Sequence, residues 1–564
     1  MAWFLGLDLG TAPWPPVPVR CRRETVEIPM RDGVRLVADV YHPDTDQPRP
    51  MITERTPYGA GALAPLGECY AAHGYCFAAV DVRGRHRSEG VWEPLRDEVT
   101  DSFDTLASLL RHPCCDGRLG TRGHSYSASS QFFAAPQLAR SIRAMVAHAG
   151  PGDAFENVPF HGGAYDLGDL LWAWTQTGPT SLDEDPDTGR VATIREVLQL
   201  RPLIEADVRL GLRVSHIREW MRHWRYDDYW HQRSWTSRIA AMQEAIPTLH
   251  VSGWWDTNGR GSVLGYKAFG GRGQRLVIGP WDHGMQAPDL SALPGPEQAL
   301  IHRAALRDVF NDELQWFDRH LAGNGHRTPG AEVFVTGAWG WAELEAWPLH
   351  PPRTAFSLGA DGSLSLGRKV HGGRREYVFD PRNPTPTSCP GLPWDLAPYD
   401  TSGDVRPDVL IYRSPRLPDE RLVLGDAYAE LFASTSARDT DWVVRLCDEY
   451  PDGRSIYIRD GVLRARFRNG FACPVPVCSG SVERYQVDLW HLGHLFRKGH
   501  RIRVEIASSA RWRWDVNPGD GGDLATSMAE VVATQNIWHG GATPSALFLP
   551  VVGDEERREL LRAE

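Results

Sequence analysis

The stretch RGHSYSASSQ, residues 122–131, sets a serine two places after a glycine and just ahead of a run that reads as the start of a helix. The pattern G-x-S-x-G puts a serine on a tight strand-to-helix turn, where small neighbours let the backbone bend and leave the hydroxyl exposed. Gly123 fits that pattern, while the second small position is Ser127 rather than glycine. Taken alone, the stretch does not separate a catalytic Ser125 from a small polar loop residue. The regions on either side decide its meaning.

Upstream, ETVEIPM (24–30) and VRLVADVYHP (34–43) flank the turn RDG and read as an antiparallel hairpin. Beyond it the pattern changes. PMITERTPYG (50–59), CFAAVDVRGR (76–85), IRAMVAHAG (142–150), IPTLHVSGWWD (246–256) and QRLVIGPWDH (274–283) are apolar, strand-like runs separated by helix-like segments such as TDSFDTLASLLRH (100–112). Strands alternating with helices predict a mostly parallel sheet covered on both faces, with its functional loops at the carboxyl ends of the strands. Amphipathic stretches, VATIREVLQL (191–200) and SHIREWMRHWRYDDYW (215–230), interrupt this alternation as an inserted helical cap. Past about residue 350 the pattern is short strands with Gly and Pro turns, as in AFSLGADGSLSL (355–366), DWVVRLCDEYPDGRSIYI (441–458) and GHRIRVEIASS (499–509). Such strands without intervening helices predict a jelly-roll β-sandwich. The expected fold is therefore α/β: an α/β-hydrolase domain in two parts (1–150 and 241–350), a helical cap (151–240) and a C-terminal jelly roll (351–564).

A chain of 564 residues exceeds what one core serves and is expected to hold two or three domains. It contains no apolar run of about eighteen residues, and its first twenty residues lack the basic region and apolar core of a secretory signal. These features predict a soluble, cytoplasmic protein with no membrane partner. The net charge of −11 is spread along the chain, which argues against a nucleic-acid surface, and the acidic cluster DEDPD (183–187) reads as a solvated loop. Among the nine cysteines, neither Cys114 and Cys115 nor Cys473 and Cys478 have zinc-ligand partners at regular spacing, so free thiols are the simpler reading. The 22 tryptophans predict aromatic-rich walls.

A hydrolase of this class carries nucleophile, acid and histidine in that chain order, each on a loop at the carboxyl edge of the sheet. Ser125 after RLGTR, Asp256 after HVSGWW and His283 after LVIGPWD supply that order. A serine hydroxyl needs an imidazole to accept its proton, and the imidazole needs a carboxylate to hold its tautomer. Asp282 is a rival acid, ranked lower because adjacent side chains rarely orient one another. The oxyanion needs donors: the backbone N–H of Tyr126 at the start of the helix supplies one, and the hydroxyl of Tyr58 in RTPYG could supply the second.

With these residues in place the chain resembles the CocE/NonD hydrolases, which include cocaine esterase, α-amino acid ester hydrolases and X-Pro dipeptidyl peptidases. The resemblance runs from about residue 24 to 540, through DGVRLVADVYHP, RTPYG, DVRGRHRSEG, GHSYSASSQ, DDYW, VSGWWD, GPWDHG, TSARDTDWVVRLCDEYPDGRS and DLWHLGHLFRKGHRIRVEIASS. It implies Ser125 as nucleophile, Asp256 as acid, His283 as base, and Tyr58 with the amide of Tyr126 as the oxyanion hole. It further implies cleavage of a small ester or amide through an acyl-enzyme, without cofactor or metal; acyl transfer to an alcohol or amine, or X-Pro or aminoacyl peptidase activity, are the alternatives. Assembly as a homo-oligomer is left open.

The chain departs from the family pattern in places. Ala128 stands where relatives carry the last glycine of the elbow, which predicts a slightly altered turn, and the bulky Arg85 and His86 are expected to reshape the pocket rim. Family members that recognise a substrate ammonium use carboxylates near the cap. Asp166 and Asp169 are the candidates here, with solvated cap residues as the favoured reading, and Trp172 and Trp174 are candidates for the acyl pocket. Three further motifs are read as not functional or as outweighed. FLGLDLGTAP (4–13) looks like a kinase phosphate loop but has no downstream partner motifs. His491, His494 and His500 are read as structural, without acidic or thiolate ligands at suitable spacing. A sugar-binding jelly roll with a relic triad is the binding-protein alternative.

Overall fold

A computed structural model describes residues 21–176, 200–209, 214–270, 273–324, 330–349, 351–367, 371–387 and 396–561. The kinase-like stretch 4–13, the acidic cluster 183–187 and nearly all of the helix expected over 191–200 lie outside them.

The expected hairpin is β1 (Cys21–Pro29) paired antiparallel with β2 (Arg35–Pro43). The alternation follows: β3 (Arg49–Thr56), α1 (Ala64–Ala72), β4 (Cys76–Asp81), α2 (Glu98–Leu109), β5 (Cys115–His124), α3 (Tyr126–Leu138) and β6 (Ile142–His148). A hairpin of β7 (Phe160–His161) and β8 (Ala164–Tyr165) leads into α4 (Leu167–Thr175). The main sheet then resumes with β9 (Thr248–Gly253), β10 (Arg275–Gly279), β11 (Ala331–Val335) and β12 (Gly340–Leu344). Among the described residues ten strands form one sheet in the order β1-β2-β4-β3-β5-β6-β9-β10-β11-β12. Its strands from β4 to β11 run parallel. Every residue of β4, β9 and β10 is buried, as expected of parallel strands covered on both faces. One face packs Leu106, Leu109, Phe132 and Ala135 of α2 and α3; the other packs Leu66 and Tyr70 of α1 with Leu314 and Phe317.

Strand order reverses at β3: the chain steps from β3 to β4 on one side and places β5 on the other. The loops leaving β3 and β5 therefore part, opening a crevice at the carboxyl edge of the sheet. Tyr58 and Ser125 follow those two strands.

The segment between β6 and β9 carries α4 and the helices Ser215–Arg222, Asp228–Gln232 and Thr236–Ala240. It is not a separate layer. Leu170, Leu171, Ile217, Trp220 and Trp230 share one hydrophobic core with Trp442, Leu463 and Phe467 of the C-terminal domain. The first strand of that domain is Arg353–Leu358, and among the described residues the domain holds two antiparallel sheets. Among the described residues one has seven strands, built around the long strand Arg421–Thr435; the other has four, Leu410–Arg413, Arg501–Ala507, Asp441–Glu449 and Ser455–Arg464.

The histidines of HLGHLFRKGH are engaged in packing: His491 with Asp426, His494 with the hydroxyl of Thr336 at 2.8 Å, and His500 with Asp448 at 2.9 Å. Among the described residues no group of His, Cys, Asp and Glu is arranged to hold a metal ion. Among the described residues eight cysteines are free thiols, and no helix is long and apolar enough to cross a membrane.

Candidate active site

Ser125 sits between β5 and α3 at φ 56° and ψ −126°, a left-handed conformation that costs a non-glycine residue about 1–3 kcal/mol. The turn is held from both sides: the Ser125 N–H donates to the carbonyl of His148 at 2.9 Å, and Gly123 lies against the backbone of Ser127. A Cβ at residue 123 would come within 2.2 Å of the Ser127 oxygen, so glycine is required there. Ala128 meets a complementary glycine: a Cβ on Gly150 would lie 3.2 Å from the Ala128 methyl. The extra methyl at the elbow is thus accommodated by the absence of one on β6's trailing loop.

The acid and histidine lie slightly past their strands, β9 ending at Gly253 and β10 at Gly279. Their loops are joined to each other. The N–H of Trp254 donates to Gly279 O and that of Trp255 to Trp281 O, both at 3.0 Å. Asp256 is fully buried; its Oδ2 accepts from the Ser252 hydroxyl at 2.6 Å and its Oδ1 from the Asn258 N–H at 2.9 Å. The same Oδ1 lies 2.9 Å from His283 Nδ1, and His283 Nε2 lies 3.0 Å from Ser125 Oγ. A carboxylate facing Nδ1 holds the proton there and leaves Nε2 to accept from the serine. Asp282 is pinned in its own turn by the N–H of Gln286 at 3.1 Å.

Tyr58 follows β3 and reaches the same point. Its hydroxyl donates to Ser125 Oγ at 3.4 Å and accepts from Trp172 Nε1–H at 3.2 Å; the amide of Tyr126 acts on the same oxygen. Burial pushes the Tyr58 phenol up to about 12, so it stays a protonated donor. Arg85 and His86, expected at the rim, act on its backbone instead: Arg85 Nε at 3.0 Å and His86 Nε2 at 3.1 Å both donate to the carbonyl of Pro57. Arg85 also reaches Gln176 at the end of the cap helix α4. The Tyr126 side chain is anchored separately, its hydroxyl donating to Glu98 at 2.8 Å, while Arg55 pairs with Glu98 at 2.6 Å.

A cavity open to solvent is lined by Ser125 and His283. Trp172, Trp220, Trp230 and Trp235 form its walls. For the last three, no local signal in the sequence separates a pocket tryptophan from a packing one. Trp172 stacks on Tyr126 with ring centres 5.9 Å apart; Trp174 lies on the same helix, its side chain outside the described residues. The expectation that Asp166 and Asp169 are solvated is corrected. Asp166 is buried, accepting from the Gly168 N–H at 2.8 Å, and both carboxylates line the cavity. Asp169 Oδ2 is buried with no hydrogen-bond partner among the described residues. Burial raises both carboxyls above the usual range; Asp166 raises Asp169 further, whereas Arg513 offsets part of the rise at Asp166.

Comparison with known proteins places these residues among relatives. The family described as X-Pro dipeptidyl-peptidase (S15 family) matches residues 32–285, and the X-Pro dipeptidyl-peptidase C-terminal non-catalytic domain matches residues 324–547. Cocaine esterase of Rhodococcus sp. (strain MB1 Bresler) is 30% identical over 577 residues, covering 93% of this chain and 98% of the esterase. The crystal structure of an aminopeptidase from a marine sediment Thaumarchaeota archaeon superposes with a TM-score of 0.82 at 26% identity, over 94% of this chain and 96% of that one. An α-amino acid ester hydrolase gives a TM-score of 0.80 at 25% identity, over 94% and 97%.

Proposed function

This chain belongs to the CocE/NonD family of serine hydrolases, and from that membership we propose that Ser125, His283 and Asp256 cleave the ester or amide bond of a small acyl substrate. The observation that carries this assignment is the unbroken chain from Ser125 Oγ to His283 Nε2 at 3.0 Å and from His283 Nδ1 to Asp256 at 2.9 Å. Ser125 Oγ attacks the carbonyl carbon as His283 takes its proton, giving a tetrahedral oxyanion. Tyr58 O–H and the Tyr126 N–H donate to that oxygen. His283 then returns the proton to the leaving alcohol or amine, the C–O or C–N bond breaks, and Ser125 carries the acyl group. Water, deprotonated by His283, attacks the acyl-enzyme and releases the acid and the free serine. Acyl transfer differs only in that an alcohol or amine takes the place of water. A fluorophosphonate probe should label the wild type at Ser125 and leave Ser125→Ala unlabelled; an unlabelled wild type would overturn the assignment.

The cavity also favours an acyl group bearing an amine, the reading supported by the unpartnered Asp169 Oδ2 beside Asp166 in a tryptophan-walled pocket. The names of the α-amino acid ester hydrolase and the aminopeptidase agree with such a substrate. Amino-acid esters should be turned over at lower KM than the same esters with the amine replaced by methyl; equal KM values would remove this preference. The free thiols fit a cytoplasmic location.

A further inference from the structure

The loop carrying Asp256 is held on one side by the histidine loop, through the N–H groups of Trp254 and Trp255. Its other side is held by the β-sandwich, through the carbonyls of the same two residues. Arg459 Nη1 donates to the Trp254 carbonyl at 2.9 Å, and the Leu396 N–H donates to the Trp255 carbonyl at 2.7 Å. Two consecutive peptide units next to the acid are thus strung between the domain that carries the triad and the domain that does not.

Arg459 is placed for this by an irregularity in its strand, Ser455–Arg464. Leu446 opposes Arg459 while the next residue, Cys447, opposes Tyr457, so Ile458 is an extra residue that bends the strand and re-aims its neighbours. Arg459 is 4% exposed, and its guanidinium lies over the Trp254 ring at 5.5 Å. The charged and titratable groups that act on it are Tyr457, Asp460, Arg513 and, across the domain boundary, Asp256. Among the described residues no carboxylate is in ion-pair contact with it, and its Nε has no hydrogen-bond partner. A buried cation of this kind costs folding stability, and an apolar side chain of similar size would serve packing as well or better. What its burial secures is the hydrogen bond to the Trp254 carbonyl. Trp254 is also seated by shape: a Cβ on Gly493, in the sandwich strand Glu483–Phe496, would lie 2.6 Å from the indole.

We infer that Arg459 of the β-sandwich is a positioning residue for the catalytic acid, fixing the Trp254–Asp256 loop so that Asp256 meets His283 in register. The C-terminal domain then takes part in catalysis without contributing a reacting group. The inference rests on the triad assignment above.

The test measures kcat, KM and the rate of fluorophosphonate labelling for wild type, Arg459→Met, Arg459→Lys and Gly493→Ala, each normalised to folded protein by circular dichroism. Arg459→Met should lower kcat and the labelling rate by about 10- to 100-fold, the scale of a misplacement of about 1 Å in a catalytic group, with KM changed by less than about threefold. Arg459→Lys, which keeps the charge and a donor, should recover most of the loss. Gly493→Ala, which presses on the Trp254 ring, should lower kcat in the same sense. Wild-type labelling with an unchanged rate in folded Arg459→Met would overturn the inference while leaving the triad standing; so would a lysine variant no better than methionine. If Arg459→Met does not fold, full kcat in folded Gly493→Ala overturns the inference, because displacing Trp254 then leaves the acid in place. An unlabelled wild type would instead defeat the triad assignment itself.

Discussion

Ser125 Oγ and the Tyr58 hydroxyl stand 3.4 Å apart, yet the two residues are held in opposite ways. Ser125 is set by its immediate neighbours: the strand before it, the helix after it, and the missing side chain at Gly123 that lets the turn close on Ser127. Tyr58 is set by distant ones. Its backbone is gripped by Arg85 and His86, nearly 30 positions on, and its hydroxyl by Trp172, more than 110 positions away on the cap. A locally determined turn tolerates change elsewhere in the molecule; a site assembled from three segments passes on a disturbance in any of them.

The comparison can be broken most directly at the serine. Ser125→Ala should lower kcat by about 10⁴-fold or more with thermal stability retained, since the groups of a triad act as a unit. Full turnover in that variant would separate the elbow from the chemistry. Tyr58→Phe removes only the hydroxyl, and kcat should fall about 10²- to 10³-fold, or roughly 2.7–4 kcal/mol, with KM changed much less. A kcat within about threefold of wild type would assign Tyr58 to packing.

Trp172→Phe sharpens the contrast, because it keeps an aromatic wall and deletes the N–H that donates to the Tyr58 oxygen. The net worth of one such bond is about 0.5–1.5 kcal/mol, so kcat should fall about threefold to tenfold. The loss should vanish in a Tyr58→Phe background, and additive losses in the double mutant would show that the two residues act separately.

The smallest effect is expected at Asp169. Burial and Asp166 hold its carboxyl above the usual range, so the neutral form extends to higher pH than for a free aspartate. A protonated pair attracts a substrate ammonium poorly. KM for an amino-acid ester should therefore decrease as pH rises through the titration of the pair, while KM for the methyl analogue stays level. Asp169→Asn should flatten that dependence and raise KM for the amino ester by up to about fivefold at the alkaline end, the range of an accessible ion pair. Parallel pH profiles for the two esters would remove the carboxylates from substrate binding.

The parts legible in the sequence are those whose cause is local. The alternation of buried strands with helices, the change to short strands after residue 350, and the order Ser125, Asp256, His283 at successive strand ends all follow from apolar periodicity and turn residues within a few positions. The cap reads correctly as helical but not in its surroundings. An amphipathic pattern says that a helix has a buried face, not what covers it. Here the cover is the sandwich, whose Trp514 and Asp515 meet the backbone at Asp166 and Tyr165 across about 350 residues of chain. For that reason a local pattern at Asp166 and Asp169 points to solvation, and Arg85 and His86 read as rim residues because the Pro57 carbonyl they hold is far from them in sequence.

The sequence by itself determined where the sheet's loops fall and which three side chains could form a triad, because steric limits at Gly123 and the periodicity of buried strands act over a few residues. Only the tertiary structure decided that Trp172 meets Tyr58, that Asp166 and Asp169 line the cavity, and that Arg459 donates to the Trp254 carbonyl. Those contacts arise from packing one domain's surface on another's, and no residue carries a local mark of the neighbour it will meet.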